Sequence, residues 1–206
     1  MISTLIVPGL DGSGPGHWQR IWAEQDPRSE IVEQEDWAWP VLSDWLHGLE
    51  ARIAEAPGCV IVAHSLGCVL VAHLAARPAA AHVRGALLVA PADIGRLVRA
   101  RPDLADFAFE PSRPLPFPTI LAASRNDPFM GWREARAQAG GWGSAFVDLG
   151  HAGHVNVASG FGEWRDGPVL AGGLMDPAAA TVADSSGGHR LAGGRVRAAQ
   201  TLALAG

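Results

Sequence analysis

The chain has 206 residues, of which 48% are apolar, with 16 basic and 21 acidic side chains and two cysteines, a composition that fits one soluble globular domain built on one core. Every basic residue is Arg and the net charge is −5, which argues against a nucleic-acid partner. Cys59 and Cys68 are too few for a disulfide framework, and no Cys/His cluster has zinc-ligand spacing, so no metal and a reducing cytoplasm are expected. Apolar runs fall short of the ~20 residues of a membrane span, and Met1 is not followed by a basic and then apolar leader.

The first element is residues 3–9 (STLIVPG), a β-branched apolar run ending in Pro-Gly, which predicts a buried strand entering a turn. Residues 18–25 have helical periodicity, residues 30–34 (EIVEQ) form a weaker strand signal, and residues 41–56 again read as helix. Four further segments, 59–63 (CVIVA), 85–91 (GALLVAP), 118–124 (PTILAAS) and 144–150 (SAFVDLG), read as strands, separated by helical patterns at 66–77 and 131–139. The long connection 93–117 has room for one or two short helices. This alternation predicts an α/β fold, a doubly wound, mostly parallel six-stranded sheet. The near-continuous apolar strands imply helices on both faces, and functional residues are expected just after the strands.

Ala63-His64-Ser65-Leu66-Gly67 lies between the strand CVIVA and a helical run. It matches the G-x-S-x-G nucleophile elbow with Ala in place of the first Gly, on the expectation that positions 63 and 67 approach each other and must be small. The competing reading is that Ser65 is an ordinary helix N-cap. A serine nucleophile needs a base, and the base needs an orienting partner. Asp127 follows the strand PTILAAS, and His151 and His154 follow the strand SAFVDLG. The order Ser, acid, His belongs to serine hydrolases of this topology. As alternatives, Asp127 before Pro128 is a turn residue, and the two histidines are loop polarity or a metal pair short of a third ligand.

The segment Pro8 to Trp18 is Gly-rich but lacks G-x-G-x-x-G spacing, so it is read as the second half of an oxyanion hole, with the N–H groups of Leu10 and Leu66 pointing at one place. His17, Trp18 and His64 are read as packing residues. Trp37, Trp39 and Trp45 follow the second strand; with Phe129 and Met130 they divide between core packing and a substrate pocket, and Trp37, Trp39 and Phe129 are the pocket candidates. With no Lys in the chain, a Ser–Lys dyad is unavailable to activate Ser65.

Taken in order, VPGLDGSGPGHW, VEQEDWAWP, VAHSLGC, ASRNDPF and GHAGHVNVASGFGEW resemble the small α/β-hydrolases grouped with the retinoblastoma-binding-protein-9 and YdeN-type serine hydrolases. The resemblance spans about residues 1–164. It implies an α/β-hydrolase fold without a large lid domain, no cofactor, and a Ser65, Asp127, His154 triad. His154 is favoured over His151 because Gly153-His154-Val155-Asn156 meets the family's Gly-His-x-Asn pattern. It further implies ester or amide hydrolysis of a small-molecule substrate, carboxylesters of small or short-chain acids being the leading expectation, with an amidase or peptidase, or a non-catalytic protein-binding module, as alternatives. Neither the natural substrate nor the oligomeric state is encoded legibly.

The end of the chain departs from that family. All Trp and Phe residues lie at or before Trp164, and residues 168–206 hold ten Ala and seven Gly and no aromatic side chain. The hydrolase domain is therefore expected to be residues 1–167. Residues 168–206 are read as a Gly/Ala-rich tail, a disordered extension or the product of an altered reading frame, that adds little core. The sheet near the His154 loop is then expected to be poorly covered, with 195–205 as a weak substitute helix.

Overall fold

A computed structural model describes residues 1–108 and 114–175 of the chain. Six strands, β1 (Thr4–Val7), β2 (Ser29–Ile31), β3 (Cys59–His64), β4 (Val83–Val89), β5 (Thr119–Ala123) and β6 (Ala145–Asp148), form one sheet in the order β2-β1-β3-β4-β5-β6. All neighbours are parallel, so every strand ends at the same edge. The order reverses between β1 and β3, the switch point where α/β sheets open a crevice for ligands.

Among the described residues six α-helices connect and cover the strands: α1 (Trp18–Gln25), α2 (Leu42–Glu55), α3 (Leu66–Leu74), α4 (Ile94–Ala100), α5 (Trp132–Trp142) and α6 (Asp166–Met175). Side chains alternate across each strand, and the core divides accordingly. Leu5, Val7, Ile61, Ala63, Ala86 and Leu88 face a cluster completed by α2, α3 and α5, with Trp45, Phe107 and Trp142 filling it. Ile6, Val60, Val62, Leu87 and Val89 face the opposite cluster, closed by Trp18 and Trp22 of α1 and Ala171 and Leu174 of α6. All nine residues of α3 are buried, as its continuous apolar pattern requires. The sheet is thus doubly wound, and the connection after β4 holds α4 and a 3-10 turn over Pro102–Ala108, with no separate lid domain among the described residues.

Three expectations change. The second strand is Ser29–Ile31 rather than 30–34, because its pairing runs only from Thr4↔Ser29 to Ile6↔Ile31. The small residue at 67 is demanded by β1, not by Ala63: a Cβ there would meet the carbonyl oxygens of Val7 and Pro8, the latter at 2.6 Å. The boundary at 167 falls inside α6, whose Gly167, Ala171 and Leu174 are buried, so this stretch does add core and does cover the sheet beside β3 and β4. Gly85 on β4 lets the helix sit close, Leu174 Cβ lying 3.2 Å from where a Cβ on Gly85 would be, and Gly167 does the same against the Trp164 and Trp22 rings; burying Leu174 contributes about 2 kcal/mol. The remainder of the expected tail, 176–206, including the substitute helix at 195–205, lies outside the described residues.

Candidate active site

At the end of β3 the chain turns into α3 through Ser65, whose φ of +54° and ψ of −120° lie in a region non-glycine residues rarely occupy, at a cost of about 1–3 kcal/mol. The turn is held by Ser65 N–H donating to Val89 O at 3.1 Å and Ser65 O accepting from Ala92 N–H at 3.3 Å. The hydroxyl caps no helical N–H, so the N-cap reading fails. It lies 3.0 Å from His154 Nε2.

His154 Nδ1 lies 2.9 and 3.0 Å from the two Asp127 carboxylate oxygens, and both side chains are almost entirely enclosed. A carboxylate only accepts, so Nδ1 carries the proton, and Nε2 is left to accept from the Ser65 hydroxyl. Asp127 also accepts from Phe129 N–H at 2.8 Å, so the turn role and the site role coexist. His151 is exposed and its charge is felt by Asp148. Of the candidate histidines, the fold brings His154 to Ser65.

Gly9 lies flat against the turn: a Cβ on it would be 2.8 Å from Ser65 Cβ and 3.0 Å from Leu66 N. That approach sets the Gly9–Leu10 peptide beside the start of α3, where first-turn N–H groups have no helical acceptor. Buried Gln19 fixes the same loop, its Nε2 donating to Val7 O at 3.2 Å and Val62 O at 3.1 Å while Oε1 accepts from Ser13 Oγ at 2.7 Å.

The pocket candidates separate. Phe129 is 53% exposed and meets the His154 ring edge-on at 4.7 Å. Trp37 packs on Trp45 and against Gly12, bracing the β1 loop. Trp39 is 65% exposed, with the Arg101 guanidinium 4.9 Å over its ring and Arg101 Nη2 donating to Ala38 O at 2.9 Å.

Supporting residues Ser124, Asn126 and Ser159 were given no role from sequence, and Asn156 was singled out only as the close of the Gly-His-x-Asn pattern. Ser124 Oγ donates to Asn126 Oδ1 at 2.8 Å and accepts from Ala152 N–H at 2.9 Å, and Asn126 Oδ1 accepts from Gly153 N–H at 2.8 Å. These bonds tie the Asp127 loop to the His154 loop. Asn156 and Ser159 build the far side, Ser159 Oγ accepting from His154 N–H at 3.0 Å. Asn126 beside Asp127 was the one available hint, since Asn side chains bond neighbouring backbone in turns.

His17 caps α1, its Nδ1 accepting from Gln19 N–H at 3.3 Å, and its buried Nε2 has no partner among the described residues. Burial, with the charges of His154 and Arg20, lowers its pKa from 6.5 to about 4. The folded value lies below the unfolded one, so the unfolded state binds more protons and stability is lost as pH falls from about 6.5 to about 4. Denaturant unfolding should show this site removing roughly 2 kcal/mol between pH 7.5 and pH 5. His17→Asn, which can still cap, should show a correspondingly flatter dependence, and an unchanged slope in that variant would refute the assignment.

A family model described as serine hydrolase matches residues 4–171. The chain belongs to the serine hydrolase family. The hydrolase is similar to a YdeN-like hydrolase from Pectobacterium atrosepticum, with 30% identity, a TM-score of 0.73, and coverage of 84% of this chain and 91% of that one. It is also similar to the ydeN gene product from B. subtilis, with 19% identity, a TM-score of 0.65, and coverage of 88% and 100%. A monoacylglycerol lipase from Paleococcus ferrophilus shares the fold at 12% identity and a TM-score of 0.59, over 84% and 93% of the two chains. No curated protein matches the hydrolase in sequence. Among its described residues no helix is long and apolar enough to cross a membrane.

Proposed function

We propose that the hydrolase cleaves small or short-chain carboxylic esters through an acyl-enzyme. The observation that carries this is the unbroken chain of hydrogen bonds from Asp127 through His154 to Ser65. His154 Nε2 takes the hydroxyl proton as Ser65 Oγ attacks the ester carbonyl, and Asp127 stabilises the imidazolium that forms. The N–H groups of Leu10 and Leu66 receive the oxyanion, favoured by the amino end of α3. The alkoxide leaves with the proton from His154, and water, deprotonated by the same ring, releases the acid and restores Ser65.

Among the described residues the connection after β4 puts no covering domain over the Ser65 end of the sheet, and exposed Phe129 beside His154 gives one apolar wall to a shallow acyl site. Trp39, held by Arg101, stands as the outer rim, while Trp37 acts through the β1 loop. Both cysteines are buried thiols, which suits a reducing compartment such as the cytoplasm. A series of p-nitrophenyl esters tests the reading: acetate and butyrate should turn over with the highest kcat/KM. A maximum at long acyl chains would reject the short-chain site, and no turnover, with no fluorophosphonate labelling of the folded protein, would reject the hydrolytic role of Ser65.

A further inference from the structure

The residue before Ser65 makes a second link to His154. Ser65 Oγ meets the His154 ring, while His64, 5% exposed, points its Nε2 at the His154 carbonyl oxygen, 2.8 Å away. A carbonyl only accepts, so this nitrogen donates. Two adjacent residues of the turn therefore hold one histidine at both ends, by its ring and by its backbone.

The held backbone is strained. Val155, a β-branched residue, sits at φ +50°, a left-handed conformation such residues rarely adopt. It stays there because its carbonyl accepts from Trp18 Nε1 at 2.8 Å, its N–H donates to Ala152 O at 3.1 Å, and the preceding carbonyl is gripped by His64. Releasing that grip lets the peptide between His154 and Val155 rotate toward an ordinary φ, and the imidazole moves with it.

We propose that His64 is a positioning residue of the hydrolase, holding the His154 carbonyl so that the imidazole stays in line between Ser65 and Asp127, with the Trp18 indole as the second anchor. The proposal rests on the reading of Ser65 and His154 as nucleophile and base.

The choice of an imidazole has a physical reason. The His64 ring lies between His17, at 5.0 Å, and His154, at 4.8 Å, with Trp18 edge-on at 6.0 Å. Burial, reinforced by the charges of His154 and His17, keeps it neutral well below the ordinary pKa. The titratable groups facing it are His17 from the start of α1 and His154 itself, with Asp127 beyond the His154 ring. A Lys or Arg donor here would place a cation against the imidazolium formed in catalysis. A neutral N–H supplies the same hydrogen bond without opposing that charge.

The test compares His64→Leu, His64→Gln and Trp18→Phe with wild type, each checked for folding by thermal unfolding. His64→Leu removes the donor and should lower kcat roughly 10- to 100-fold with KM changed less than about 3-fold. His64→Gln, whose amide nitrogen can reach the carbonyl, should recover kcat to within about 5-fold of wild type, and Trp18→Phe should show a smaller loss of the same kind. The low-field proton resonance of His154 Nδ1–H should persist in His64→Gln and broaden or vanish in His64→Leu. Wild-type kcat and an unchanged resonance in folded His64→Leu would overturn the proposal, as would equal losses in the Leu and Gln variants. The resonance needs no substrate, so it judges the positioning role even where wild type fails to label with a fluorophosphonate, the outcome that would reject the hydrolytic reading instead.

Discussion

Ser65→Ala is expected to lower kcat/KM by roughly 10⁴- to 10⁶-fold and to abolish fluorophosphonate labelling while leaving the fold intact. The hydroxyl is the one atom group of Ser65 that reaches His154, and its removal leaves no oxygen to form the acyl bond. The backbone tolerates the change because the strained φ of +54° is imposed by the β3–α3 turn and its bonds to Val89 and Ala92, and Ala is no worse there than Ser. His154→Ala should cost a similar factor, and the double variant little more, since in the proposed mechanism nucleophile and base act as one unit. His151→Ala, altering an exposed ring outside the hydrogen-bond chain, should keep kcat/KM within about 3-fold, a change no larger than surface substitutions usually cause. Steady-state kinetics on a short-chain ester reads all four. More than about a hundredth of wild-type activity in Ser65→Ala would remove Ser65 from the mechanism.

Asp127→Asn is expected to lower kcat by roughly 10³- to 10⁴-fold with little change in KM. The amide is nearly isosteric and can still accept from Phe129 N–H, as Asp127 does at 2.8 Å, so the loop should keep its shape. What changes is the proton on His154. A carboxylate compels Nδ1 to carry it, whereas the Asn amide can donate to Nδ1 and leave the proton on Nε2, where it faces Ser65 and blocks proton abstraction. The negative charge that steadies the imidazolium is also lost. A fall in kcat without a fall in thermal midpoint is the discriminating result. A parallel rise in KM of similar size would place Asp127 in substrate binding instead.

The strands and the elbow were legible because their signals are local. CVIVA followed by HSLG and an apolar helical run specifies a buried strand, a sharp turn and a buried helix from a dozen adjacent residues, and Asp127, then His151 and His154, follow at the ends of later strands. The extent of α6 was not legible. Residues 168–175 read as the start of a Gly/Ala-rich tail, and they become core because Gly85 leaves room for Leu174 and Gly167 fits against Trp164 and Trp22.

The same division runs through the site. The sequence by itself determined the α/β sheet, the strand ends at which reactive groups emerge, and Ser65, Asp127 and the pair His151 and His154 as the residues those ends present, since period and turn chemistry act over a few neighbours; the preference for His154 came from the family resemblance. Only the tertiary structure decided that β1 carbonyls force glycine at 67, that Ser124 and Asn126 join the acid and base loops, and that His64 holds the carbonyl of a residue ninety positions away. Such contacts join residues distant in the chain through backbone atoms that every residue shares, so no side-chain pattern along the sequence announces them.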